Sequence, residues 1–311
     1  MTSQLIAVAQ KIHLRLNTFT QEEASMMLFA LAFLLAGQAS RFLFTSVPTY
    51  PAVILAPNGI ALAALIVSEG KHAKYLWFAA LLNGLLGGLP PVAAFIASLF
   101  YLLQAAAGAA AFYTLNLDKR LRSFRDIFLF CVIAIICSAI TPLAGSGLLP
   151  LINTNNQVHF SYWWLGHVIS TLIFTPLLIR GFSKSDFILS QTQRMEAIIA
   201  FALLILLQFS FWTEYPQEAR WPLALLLLAV ALWIAFRMGL TYVLFAVLIG
   251  SITFLCEPFY GPKRTPLGLL SERIAEIEIY LSVGIIVLYF LTAIFEERNQ
   301  ALAALKQNGN H

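Results

Sequence analysis

The sequence predicts an all-α fold, a polytopic bundle of about ten transmembrane helices (eight to ten) with both termini on the cytoplasmic side. Three observations carry this. Of the 311 residues 60% are hydrophobic and only 11% are charged, whereas a soluble domain carries about 25% charge, so most of the chain must be solvated by lipid. The apolar residues fall into about ten runs, most of them close to the ~20 residues that cross about 30 Å of hydrocarbon. Crossing in turn from a cytoplasmic N-terminus, these runs leave 14 of the 19 Lys and Arg residues on the cytoplasmic side and 5 on the far side, which is the positive-inside bias.

Taken in order, residues 1–24 read as a cytoplasmic N-terminal segment. They carry Lys11, His13, Arg15, Glu22 and Glu23 and lack the apolar centre and small-residue cleavage site of a secretory signal, so the first span is expected to be retained. Spans are expected at 25–46, 50–68, 73–89, 92–116, 125–149, 161–181, 195–212, 221–237, 239–257 and 277–295. The loops between them set the census. Lys11, Arg15, Lys71, Lys74, Lys119, Arg120, Arg122, Arg125, Arg180, Lys184, Arg194, Arg237, Arg298 and Lys306 fall inside; Arg41, Arg220, Lys263, Arg264 and Arg273 fall outside. Tyr50, Tyr162, Trp163, Trp164, Trp212 and Trp221 sit at outer ends and Tyr75 and Trp77 at an inner end, as interfacial aromatic belts do. Residues 25–296 form one membrane domain. No Gly or Pro interrupts 297–306, so residues 297–311 read as a helical tail carried into the cytoplasm, with Ala and Leu positions suited to a second helix.

Composition also excludes classes of function. The net charge of +4 resides in short loops between spans, where anionic headgroups rather than nucleic acid are the partner. Cys131, Cys137 and Cys256 form no CxxC pair and read as packing thiols. There is no GxxxxGK[ST] loop, no HExxH and no GxSxG, so neither an enzyme, a cofactor nor a metal centre is expected. Glu214, Glu257, Glu272, Glu276 and Glu278 gather at expected outer edges and read as solvated.

Polar groups inside the spans are the site candidates, because an unpaired one in hydrocarbon is costly. Gln38, Asn58, Asn83 and His167 share a depth of roughly 9 to 12 Å below the outer surface at 1.5 Å per residue, with Arg41 about one turn further out. In the sixth span His167, Ser170, Thr171 and Thr175 fall on one stripe. The ligand-binding candidates are therefore Gln38, Arg41, Asn58, Asn83, His167 and Thr171, lining a cavity open to the periplasm for an anionic or hydrogen-bonding ligand. The competing reading makes the amides, hydroxyls and imidazole interhelical fasteners worth about 0.6 kcal/mol each, and has Arg41 snorkel to the headgroups. Pro57 and Gly59 beside Asn58, and Pro176 after Thr175, mark helix breaks or hinges. Gly84 and Gly88, and Ala105, Gly108, Ala109 and Ala110, read as faces for close helix packing.

PNGIALAALIVSEGKHAKYLWFAALLNGLLGG, then FRDIFLFCVIAIICSAITPLAGSGLLPL, YWWLGHVISTLIFTPLLI, the Arg237-Met-Gly239 turn and IYLSVGIIVLYFLTAIFEERNQALAAL resemble in order the membrane-associated sensor family known as MASE, first type. The resemblance spans about residues 25–305. It implies an integral sensory module of the bacterial inner membrane, usually fused to histidine kinase, PAS, diguanylate cyclase or cyclic-di-GMP phosphodiesterase domains. The family commonly has Asp after WWLG where this chain has His167. The sequence ends about 16 residues past its last expected span, so no output domain is expected on it. The leading expectation is a multi-pass sensor that repacks its helices on binding ligand and passes the change to a separately encoded kinase or cyclic-di-GMP enzyme, or to a second copy. A small-molecule transporter or permease is the alternative. An intramembrane thiol enzyme ranks last, because Cys131 or Cys137 and His167 fall in opposite halves of neighbouring spans.

Overall fold

A computed structural model describes residues 22–42, 56–71, 73–148, 160–181, 190–211, 217–260 and 269–308. Among these the chain forms eleven α-helices and no strand, so the expected all-α bundle is found. The helices are α1 Glu22–Phe42, α2 Ala56–Ser68, α3 Lys74–Leu86, α4 Pro91–Thr114, α5 Phe124–Cys137, α6 Ile140–Leu148, α7 Phe160–Gly181, α8 Gln191–Phe211, α9 Gln217–Met238, α10 Leu240–Tyr260 and α11 Leu270–Asn308. Seven stretches are long and apolar enough to cross a membrane, with α5 and α6 counting as one, Phe124–Gly147. The expected N-terminal segment up to residue 21, and Tyr50, Lys184, Trp212, Glu214, Lys263 and Arg264, lie outside the described residues.

The bundle is built inside out relative to a soluble protein. Large apolar side chains such as Leu28 and Leu35 of α1, Leu206 and Phe209 of α8 and Tyr280 and Val283 of α11 are exposed, as lipid contact requires. Small residues fill the centre. Eleven of the thirteen residues of α2 are buried, and its largest interface is with α7, which is also buried along most of its span. Ala105, Gly108 and Ala109 of α4 are buried, with Gly108 against Leu62 of α2. Ala110 is exposed on the opposite side, so it does not belong to that face. Gly88 likewise lies beyond the end of α3 with φ +79; it is a turn residue, whereas Gly84 does pack, against Ala94.

Helix polarity alternates so that the basic residues gather at one end. Lys71 pairs with Glu22 at 3.7 Å and Lys119 with Glu69 at 3.8 Å. Arg180 Nε donates to Thr241 Oγ1 at 3.0 Å and its Nη1 to the Arg120 carbonyl. Arg237 forms a bidentate pair with Glu196, at 2.6 and 2.9 Å. At the same end Glu296 accepts from the Leu240 amide (2.9 Å) and Glu297 from the Phe124 amide (2.7 Å). Adjacent carboxylates of α11 thus cap the first turns of α10 and α5, where free amides and the helix dipole favour negative charge. α11 then continues to Asn308, 39 residues in all, or about 58 Å.

Prolines open the helices at defined places, and side chains close the gaps. Pro176 lies inside α7 and offers no amide to the Leu172 carbonyl four residues before it. The buried Tyr289 hydroxyl of α11 donates to that carbonyl at 2.6 Å. Tyr289→Phe is expected to leave the carbonyl without a donor and to destabilise the protein by about 1–3 kcal/mol, read as a lowered unfolding midpoint in detergent. An unchanged midpoint would show that the bond is made elsewhere.

Candidate functional site

The expected fifth span is interrupted. α5 ends at Cys137 and α6 begins at Ile140, because Pro142 has no amide for the Ser138 carbonyl. The interruption strands backbone groups in mid-bundle, and two side chains take them up. Trp164 Nε1 donates to the Ile135 carbonyl at 2.8 Å. The Thr141 amide, in the first turn of α6, donates to Gln104 Oε1 of α4 at 3.2 Å.

Gln104 is the hub of the site. Its Oε1 also lies 3.1 Å from His167 Nδ1. An oxygen that accepts from a backbone amide offers His167 only an acceptor, so Nδ1 carries the proton, and a neutral ring would leave Nε2 as an acceptor. That Nε2 is buried and has no hydrogen-bond partner among the described residues. The imidazole is held in a sleeve of rings, with Tyr101 stacked at 5.8 Å between centroids and Trp163 edge-on at 6.0 Å. Tyr101 also lies near Arg41. Arg41 rests its guanidinium against Gly87, where a Cβ would collide with it, and its Nη1 is buried without a partner among the described residues.

Below His167, the side chains of Asn58, Gln104, Ser138 and Thr171 line a cavity with room for about one water molecule. Ser138 and Thr171 share a hydrogen bond at 3.2 Å, while Asn58 Nδ2 is buried with no partner. Gln104 thus touches His167 and shares a cavity with Asn58, and each of these two carries one polar atom without a partner among the described residues.

The other expected residues divide between fastening and lining. Gln38 Nε2 donates to Asn83 Oδ1 at 2.7 Å, tying α1 to α3 one turn from Arg41. The stripe expected on α7 splits. His167 faces Gln104, Thr171 faces Ser138, and Ser170 and Thr175 face α2, where Ser170 Oγ accepts from the Gly59 amide (3.1 Å) and Thr175 Oγ1 donates to the Gly59 carbonyl (3.0 Å). Because α7 is buried all round, its polar groups point to three different helices. Pro57 and Gly59 sit in the first turns of the described α2, where a proline costs no helical bond.

Sequence reasoning passed over Tyr101, Gln104 and Ser138. The available signals were Tyr101 and Gln104 at i, i+3 on α4 and the Thr141-Pro142 pair, which marks the helix interruption. It also read Glu278 as solvated, and the structure corrects this. Glu278 is fully buried and Glu257 nearly so, because α11 starts at Leu270, two turns before Glu278. Among the described residues no three His, Cys, Asp or Glu side chains group to hold a metal ion.

No curated protein and no solved structure matches the chain. The family model MASE1 matches residues 25–299, nearly the whole membrane bundle with every helix of the site, and the chain belongs to the MASE1 family of membrane-bound sensory domains.

Proposed function

We propose that the chain is a bacterial inner-membrane sensor whose basic end faces the cytoplasm and whose Arg41–His167 cluster takes a small anionic or hydrogen-bonding ligand from the periplasmic side. Eleven described cations, from Lys71 to Lys306, lie toward the basic end and three, Arg41, Arg220 and Arg273, toward the other, which supports that orientation. The proposed output is non-enzymatic. Ligand shifts the balance between two helix packings, and α11 carries the shift to a kinase or cyclic-di-GMP enzyme.

One observation carries this reading. α7 holds His167, and five residues further on its Leu172 carbonyl is bonded to Tyr289 of α11. The helix that bears the cluster therefore grips the helix that leaves the bundle. Beyond the grip, Leu302 and Leu305 are exposed on the tail of α11 and suit a partner helix.

The test is affinity capture by the full-length protein from native membranes, with a Leu302→Glu, Leu305→Glu variant alongside. A kinase or cyclic-di-GMP enzyme recovered by the wild type and lost from the variant supports the proposal. No such enzyme, together with unchanged cyclic-di-GMP and phosphorelay output on deletion, counts against it. Solute uptake by reconstituted vesicles would favour a transporter instead.

A further inference from the structure

Glu278 is the least accommodated charge in the bundle. It is 0% exposed, it lies about 12 Å along α11 from Leu270, and among the described residues neither carboxylate oxygen has a hydrogen-bond partner. Two buried hydroxyls share this condition, Ser251 Oγ of α10 and Ser282 Oγ of α11. Serines in helices normally turn their hydroxyls back on the preceding turn; these two do not.

The three residues belong together by register. α10 and α11 run antiparallel, tied at one end by the Leu240 amide to Glu296. Toward the other end Leu255, Cys256 and Phe259 share a core with Leu270, Ile274 and Ile277. Between these ties Ser251 falls opposite the turn Glu278–Ser282. Most charged groups of the elements packed on α11 lie at the basic end. On α10 Glu257 sits nearly two turns further along; Arg125 and Asp126 of α5, Arg180 of α7 and Arg237 of α9 are at the basic end, whereas Glu218 and Arg220 begin α9 at the end nearer Glu278. Among the described residues no basic side chain pairs with Glu278.

We propose that Glu278, Ser251 and Ser282 form a binding site for one small monovalent cation, sodium. A carboxylate sealed from water needs a compensating positive charge, and a single carboxylate matches a single one. Divalent ions gather more carboxylates or demand six or more oxygens. A proton would balance the charge but leave the acid's O–H and both serine hydroxyls without partners. Oxygens that share a cation stand around it rather than hydrogen-bonding to one another, which is the condition of these four. The site is distinct from the His167 cluster and does not rest on the sensor proposal.

The test is thermal unfolding of the full-length protein in detergent at pH 8 and constant ionic strength, in sodium, potassium or N-methylglucamine chloride, with radioactive sodium binding measured in parallel. The expected result is a midpoint that rises by several degrees and saturates with sodium only, and about one sodium bound per chain. Glu278→Gln should abolish both responses. Ser251→Ala should raise the half-saturating concentration roughly tenfold, the effect of losing one neutral donor. Should Glu278→Gln fail to fold, Ser251→Ala and Ser282→Ala carry the comparison. Equal midpoints in the three salts, a response to pH alone, or full sodium binding by these variants would overturn the proposal.

Discussion

Gly59→Ala is expected to destabilise the protein by about 3 kcal/mol or more, although alanine is the better helix former by about 1 kcal/mol. The reason is what the new methyl group meets. A Cβ at Gly59 would stand 2.3 Å from the Ser170 carbonyl oxygen and 2.8 Å from Phe174 Cβ. Neither is the tip of a flexible side chain, so α2 and α7 would have to separate along the largest interface in the bundle. Overpacking of this kind costs typically 1–3 kcal/mol. Here it would also stretch the two hydrogen bonds that the Gly59 amide and carbonyl make to Ser170 and Thr175. Gly284→Ala is the control. Nothing lies within 4 Å of a Cβ there, so the propensity term stands alone and that variant should be unchanged or up to ~1 kcal/mol more stable. Unfolding midpoints for both variants decide the matter. A Gly59→Ala protein that melts with or above the wild type would mean that the α2–α7 approach is looser than described.

The parts of this molecule that were legible in the sequence are those fixed by the solvent. Lipid demands long apolar runs, so the helices could be placed from composition alone, and a His in such a run, His167, stood out as a candidate. Gln38 and Asn83 stood out for the same reason and do meet. What escaped depends on contacts between distant segments. Gln104 sits in YLLQAAAG, where the small residues dominate the reading; its role is set by an amide exposed 37 residues later at the α5–α6 interruption. Glu278 was misjudged for a simpler reason. A span drawn from 277 puts it at the surface, and only the true start at Leu270 takes it inside. Apolar runs locate the hydrocarbon and not the helix ends, so polar residues just outside a run are those most easily misplaced.

Gln104→Leu is the second large effect expected, because one oxygen serves two helices. With Oε1 gone, the Thr141 amide and His167 Nδ1–H both lose their acceptor in a buried setting, where an unsatisfied donor costs about 1–3 kcal/mol. Burying a leucine at this position recovers only part of that, so a net loss near 3 kcal/mol is expected. The origin can be isolated by a double-mutant cycle with His167→Phe, which keeps a ring between Tyr101 and Trp163 but removes the donor. If His167 donates to Gln104, then Gln104→Leu should cost at least ~1 kcal/mol less in the His167→Phe background, since the coupling of contacting polar residues runs from about 0.5 to 3 kcal/mol. Equal costs in the two backgrounds would mean that the residues act independently. The Nδ1–H tautomer would then lose its support, and with it the lone pair at Nε2 as the acceptor a ligand meets. A coupling in the expected range would instead assign His167 a defined chemical demand. Under the proposed function, a ligand at His167 would bring a donor to Nε2.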